Sequence, residues 1–292
     1  MIVYGRNSVR EALRGRRARG IARVWASANV AHEPWLAEVN TKICAAEELG
    51  RLCGSSAHQG VCADVGGYPY VGAHELLAVD SPLIVALDQV QDPQNLGSIC
   101  RTAECAGATG VVIAERRAAE VTPAACKASA GAVEHMRIAR VRNIADFLGE
   151  ARDAGCWSYG ASAPDSEAGE EASGDGARGG DEARTDDAAR GGVVRDRVRG
   201  GGVRDGGGRG AGRGRGDTGL VVPYTAPDYS GGVVLVLGSE GSGLRPRVAG
   251  ACDQLVSLPL LGRMESLGVA AAAAALLYGI LQSRDGTLDK AP

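Results

Sequence analysis

Three short polar runs, far apart in the chain, carry the residue types that could do chemistry. Residues 95–101 read N-x-G-x-x-x-R, with Asn95 and Arg101 at its ends. Pro93 disfavours helix at Asp92, and Asn95 can cap the helix that follows. A guanidinium two turns into that helix is either an exposed helix charge or a bidentate clamp on a phosphate. Residues 238–245 read G-S-E-G-x-G-L-R. Glycines this dense permit positive φ and a close approach of backbone to a ligand. The run lacks the Gly-Lys-Ser/Thr ending of a phosphate-binding loop and is not a G-x-G-x-x-G fingerprint, and Glu240 would repel a polyphosphate. A neutral or cationic ligand fits better, because the acid can meet a sulfonium or an amine while freed backbone groups read an adenine edge. Residues 258–267 read L-P-L-x-G-x-x-x-S-L and lead into an alanine-rich helix. Ser266 is a natural N-cap for that helix.

The elements that must position these runs alternate regularly from residue 82 onward. Strand patterns cover 83–87, 110–113, 136–141, 157–161, 233–237 and 254–258. Helical patterns cover 95–106, 122–130, 144–154 and 266–282, with a helical turn over 244–250. Such alternation predicts an α/β fold whose mostly parallel sheet carries helices on both faces. Ligands of these sheets sit beyond the strand carboxyl ends, and the loops there hold all three polar runs. The first 75 or so residues read as a smaller α/β unit. A helix capped at Asn7-Ser8, a strand over 21–26, a helix over 34–49 and a strand over 61–65 lead to the turn Gly66-Gly67-Tyr68-Pro69.

Composition separates a third region from these two. Of the chain's 292 residues 45% are hydrophobic and 4% aromatic, and the net charge is -3. Residues 165–219 hold 18 Gly, 10 Arg and 12 acids with no aromatic, acidic in the first half and arginine-rich in the second. That composition cannot offset its ordering entropy and predicts a disordered insertion, either a tolerated surface loop or an Arg/Gly arm tracking RNA phosphates. The eight cysteines are scattered, with no C-x-x-C pair and no His at ligand spacing, so they read as structural thiols in a reducing compartment, with no metal site. The N-terminus carries no signal-peptide pattern and no apolar run approaches the ~20 residues of a membrane span, so a cytoplasmic protein without a membrane partner is expected.

Taken in order, the three runs resemble the motifs of the SpoU-type RNA ribose 2'-O-methyltransferases of the SPOUT class. Tyr4-Gly5-Arg6-Asn7-Ser8-Val9 and His58-Gln59-Gly60 are similar to the ribosomal-protein-like RNA-binding domain that precedes the catalytic domain in the 23S rRNA guanosine-2'-O-methyltransferases. The resemblance implies a C-terminal trefoil knot, a homodimer and S-adenosyl-L-methionine as cofactor. Its domains would be 1–75 for RNA binding and 80–163 with 220–284 for catalysis. It places Gly238, Leu258 and Leu267 at the cofactor, and Arg101, Asn95, Glu240 and Ser266 around the ribose, with Glu240 orienting Arg101. The substrate implied is a guanosine of ribosomal RNA, with tRNA as the alternative, or a catalytically weakened RNA-binding or ribosome-assembly protein. The last is suggested by Gly268, which stands where the family usually carries Asn.

Overall fold

The computed structural model describes residues 1–163, 220–264 and 266–284. The insertion expected over 165–219 lies outside them. Two sheets are present. The first contains β1 (Ile2–Tyr4), β2 (Arg23–Ala26), β3 (Thr41–Ile43) and β4 (Val61–Asp64), in the order β1-β4-β2-β3. Helix α1 (Arg6–Arg14) lies on the face carrying Val61 and Ala63, and α2 (Ala46–Cys53) packs its buried Leu49 from the face of Cys62. Alternation along β4 thus assigns the two helices to opposite sides of the sheet.

The helix expected over 34–49 is instead a 3-10 turn at Pro34–Leu36, then β3, then α2. Thr41 and Ile43 are β-branched and pair in parallel with Val24 and Ala26, so pairing overrides the helical spacing. Helix α1 begins one residue earlier than the expected cap: Gly5 is the N-cap, and Ser8 is buried inside the helix.

The second sheet is built from β5 (Leu83–Leu87), β6 (Gly110–Ala114), β7 (Ile138–Val141), β8 (Trp157–Ala161), β9 (Val221–Pro223), β10 (Val233–Leu237) and β11 (Gln254–Ser257). Its order is β7-β6-β5-β10-β8-β11-β9, and every pairing in it is parallel. The helices are α3 (Ala73–Leu77), α4 (Pro93–Cys105), α5 (Pro123–Ala128), α6 (Ile144–Asp153), α7 (Pro246–Ala249) and α8 (Val269–Ser283). Leu83, Val85 and Leu87 share one core with α4, α5 and α8, whereas Ile84 and Ala86 share another with α3, α6 and α7. The expected parallel sheet with helices on both faces is therefore the observed one. All eight cysteines are free thiols, and burial pushes those of Cys62, Cys100 and Cys252 up to about 12 and that of Cys126 to about 11. They stay protonated and pack as small apolar groups.

The two sheets meet along α1. Ser8 Oγ donates to the Cys126 carbonyl at 3.1 Å, and Tyr68 Oη donates to the carbonyls of Val133 (3.0 Å) and Met136 (2.6 Å). At the centre Arg17 and Glu134, both almost fully buried, form an ion pair in which Arg17 Nε donates to Glu134 Oε2 at 2.8 Å. Burial works against the Arg17 charge, but the Glu134 carboxylate outweighs it and raises the guanidinium pKa. Removing one member leaves the other charged and unpaired in the interface. Arg17→Met should cost about 3–5 kcal/mol in denaturant unfolding, and Arg17→Met with Glu134→Leu should recover most of it. A single substitution that leaves the midpoint unchanged would show the pair is not holding the seam.

Candidate active site

Beyond the carboxyl ends of β8, β10 and β11 lies a cavity of about 510 Å³. Gly238, Glu240, Leu258, Ser266 and Leu267 all line it, so two of the three polar runs converge on one space. Asn95 and Arg101 do not line it. Asn95 still reaches the rim, where its Nδ2 donates to the Glu240 carboxylate. Arg101 is exposed on α4 and makes no hydrogen bond or ion pair among the described residues. The pairing of Glu240 with Arg101 implied by the resemblance is thus absent here; Glu240 accepts from Asn95.

Asn95 is free to do this because it is not the cap of α4. Asp92 is the N-cap, its carboxylate accepting from the Gln94 N–H at 2.9 Å, and Pro93 fills the first helical position. Ser266 is likewise not a cap. Helix α8 begins at Val269 with Gly268 as N-cap, at φ -59° and ψ 143° and without a side-chain bond to the helix. The Ser266 hydroxyl therefore owes nothing to the helix and belongs to the cavity wall.

The glycine-rich loop takes its shape from backbone bonds. Ser239 and Gly243 exchange N–H···O bonds of 3.0 Å each, and the Ser239 and Ser242 hydroxyls are 2.8 Å apart. A Cβ on Gly238 would collide with the Gly243 carbonyl and the Leu244 nitrogen, so only glycine fits where β10 ends. The other end of the loop is fastened by Asp88 and Arg245, neither of which the sequence motifs single out as a pair. Asp88, fully buried after β5, accepts the Arg245 N–H at 2.9 Å and Arg245 Nε at 2.8 Å, with Arg245 Nη2 2.7 Å from the same carboxylate. Its own N–H donates to the Leu237 carbonyl at 2.7 Å. An acid directly following five buried apolar residues had to find a cation, and that was the available signal. Among the described residues no group of His, Cys, Asp and Glu is arranged to hold a metal ion.

The chemistry this arrangement permits is binding of a compact, partly apolar ligand by backbone groups, with one carboxylate at the rim. Asp88→Ala should free the loop without unpairing β5 from β10. Amide exchange at Ser239 and Gly243 should quicken about tenfold or more while Val85 and Leu235 stay protected. Unchanged exchange at the two loop amides would contradict the role given to Asp88.

Comparison with known proteins bears on the same loops. The sequence pattern of the SpoU rRNA Methylase family matches residues 82–177 and 216–278, and that of RNA 2'-O ribose methyltransferase substrate binding matches residues 2–71. A Bacillus subtilis (strain 168) relative, named as a TrmH family tRNA/rRNA methyltransferase, YacO, is 32% identical over 78% of this chain and 72% of its own. A Synechocystis relative named as a tRNA/rRNA methyltransferase, slr0955, is 29% identical over 97% of this chain, which spans 62% of that protein. The crystal structure of an AdoMet-bound rRNA methyltransferase from Sinorhizobium meliloti shares the fold with a TM-score of 0.66, at 22% identity over 96% of this chain and 86% of that one. With its pattern matched across both halves of the parallel sheet, the chain belongs to the SpoU rRNA methylase family of RNA methyltransferases.

Proposed function

We propose that this chain transfers a methyl group from S-adenosyl-L-methionine to the ribose 2'-hydroxyl of a guanosine in large-subunit (23S) ribosomal RNA, with tRNA as the alternative substrate. The observation that carries this is the convergence of Gly238, Glu240, Leu258, Ser266 and Leu267 on one cavity at the sheet's carboxyl end. The cavity fits the cofactor: its volume suits a nucleoside-sized ligand, Leu258, Leu260 and Leu267 offer apolar surface, and the Gly238–Gly243 turn brings backbone close. When bound there, the cofactor supplies an activated methyl that needs no metal.

The chain's residues must then hold the 2'-oxygen in line and keep water out. A guanidinium offers N–H donors and no acceptor, so Arg101 does not serve as a base. Unpaired and exposed, its guanidinium is free to hold the phosphate beside the target ribose and to stabilise the oxygen as its proton leaves. Asn95 holds Glu240 at the cavity rim, and Ser266 offers its hydroxyl from the opposite wall. Residues 1–75 serve as the RNA-binding domain, and 80–163 with 220–284 as the catalytic one, with the trefoil knot that the resemblance implies. Among the described residues no helix is long and apolar enough to cross a membrane.

A homodimer belongs to this reading. Leu261, Met264, Leu267 and Tyr278 expose 96, 78, 47 and 44% of their surface on the third loop and the outer side of α8, an apolar patch beside the cofactor cavity. Sedimentation at micromolar concentration should give twice the chain mass; a monomer would contradict it.

Methyl transfer to rRNA and tRNA transcripts, followed by mapping of the 2'-O-methyl, tests the reaction and its substrate. Arg101→Ala should lower turnover ~10²-fold or more with cofactor affinity little changed, by analogy with removing one preorganised transition-state donor. Gly268→Asn should leave turnover equal or higher, because the site is open, φ is negative, and Asn is a better N-cap for α8. Full transfer by Arg101→Ala would remove Arg101 from the site.

A further inference from the structure

We infer that the RNA backbone docks on a composite cationic surface formed by Arg6, Arg10 and Arg14 of α1 together with Lys127 of the catalytic half, with His135 beside it. This rests on RNA being the substrate, and adds where the strand lies and that the catalytic half supplies part of the site.

The first 23 residues carry seven arginines and one acid, Glu11. Arg6, Arg10 and Arg14 recur every fourth residue, so they form one stripe along α1, successive members about 6 Å apart along the axis. All three side chains are at least two-fifths exposed. Two guanidinium groups and an imidazole share the one carboxylate of Glu11: Arg10 at 2.9 Å, Arg14 at 4.0 Å, and His135 from beyond α5 at 3.0 Å. Burial pushes the Glu11 pKa up, but hydrogen bonds from His135 and Arg10 outweigh it and hold the group ionised. One negative charge cannot neutralise that set, and among the described residues only Arg6 has a further acid, Glu33 at 3.1 Å.

Lys127 extends the stripe across the seam. Its ammonium lies against Gly5, where a Cβ would meet both Nζ and Cδ, and Gly5 itself has φ +94°. The neighbouring Gln59 Oε1 accepts the Arg6 N–H at 3.0 Å, so the two N-terminal motifs and Lys127 meet at one point. Lys127 is half-buried, which lowers its pKa, and its ammonium makes no hydrogen bond or ion pair among the described residues. A partly desolvated cation with three free donors beside an arginine stripe fits a phosphodiester. The Arg17–Glu134 pair fixes this surface relative to the catalytic sheet.

The test is binding of the full chain to a large-subunit rRNA transcript between 50 and 200 mM salt. Arg10→Gln with Arg14→Gln, and separately Lys127→Gln, should weaken binding and reduce the slope of log affinity against log salt by roughly 0.7–0.9 for each phosphate no longer neutralised. Lys127→Arg should restore the slope. Arg51→Gln, on α2 across the first sheet, should leave it unchanged. An unaltered slope in folded Lys127→Gln protein, or an equal reduction in Arg51→Gln, overturns the surface. Methyl transfer measured in parallel separates the two readings. A wild type that methylates rRNA while every variant keeps its slope refutes only the docking surface. A wild type that binds with the expected slopes but methylates no RNA refutes only the reaction.

Discussion

The buried carboxylate of Asp88 is the group on which the cavity depends. It sits after a strand whose five residues are all buried, in a place where an unpaired charge is not tolerated. Its partner, Arg245, comes from the far side of the glycine-rich loop, 157 positions along the chain. Satisfying one acid therefore fixes where the loop after β10 ends, while the collision space at Gly238 fixes where it begins. Between those two points the backbone has little choice but to fold back through the Ser239–Gly243 bonds. The cavity wall combines that fold with the leucine side chains around it, Leu258, Leu260 and Leu267 among them.

A second buried pair does for the N-terminal sheet what the first does for the loop. Arg17 and Glu134 join two parts of the molecule that each have their own strands, and the surrounding bonds from Ser8 and Tyr68 reach backbone carbonyls of the catalytic half. A surface for RNA is useful only if its distance to the reacting ribose is fixed. The short, buried seam supplies that rigidity, and on the proposed docking it would register an RNA strand along α1 to the carboxyl end of the parallel sheet. The Arg17–Glu134 pair is buried on both sides and carries a high desolvation cost, whereas Asp88 is buried but Arg245 is two-fifths exposed.

Much of this was legible in the chain. The buried strands of the second sheet, LIVAL, GVVIA and VVLVL, are continuous apolar runs that leave little alternative to a parallel sheet covered on two faces. The loops that follow such strands could be ranked by their glycine content. Capping was less legible. Asn95 and Ser266 each looked like an N-cap, yet Asp92 and Gly268 took those positions, because Pro93 sets the start of α4 and Gly268 keeps non-helical angles. The short strands β1, β3 and β9, three residues each, left no period to detect, and their existence depends on partners far along the chain. Asp88 with Arg245 and Arg17 with Glu134 were invisible for the same reason: nothing local says which arginine meets which acid.

The two halves of the site are encoded differently, and this decides how each can vary. The cofactor side is drawn by backbone at the glycine-rich loop and by leucine side chains around it; Gly238 cannot be exchanged, while Gly268, facing open space at negative φ, can. The RNA side is drawn by guanidinium and ammonium groups on exposed faces, where geometry is loose and charge is what counts. In the glycine-rich loop charge matters at Arg245, which pairs with Asp88, and at Glu240, the carboxylate on the rim. A surface of the second kind tolerates changes in shape but not the removal of cations. Arg101 lies between these regimes. It is held by no partner within the described residues, yet it stands on the helix that presents Asn95 to Glu240. On the role proposed for it, an arginine so placed would gain a defined geometry only when an RNA phosphate arrives, so its ordering would be coupled to substrate binding rather than built into the folded chain.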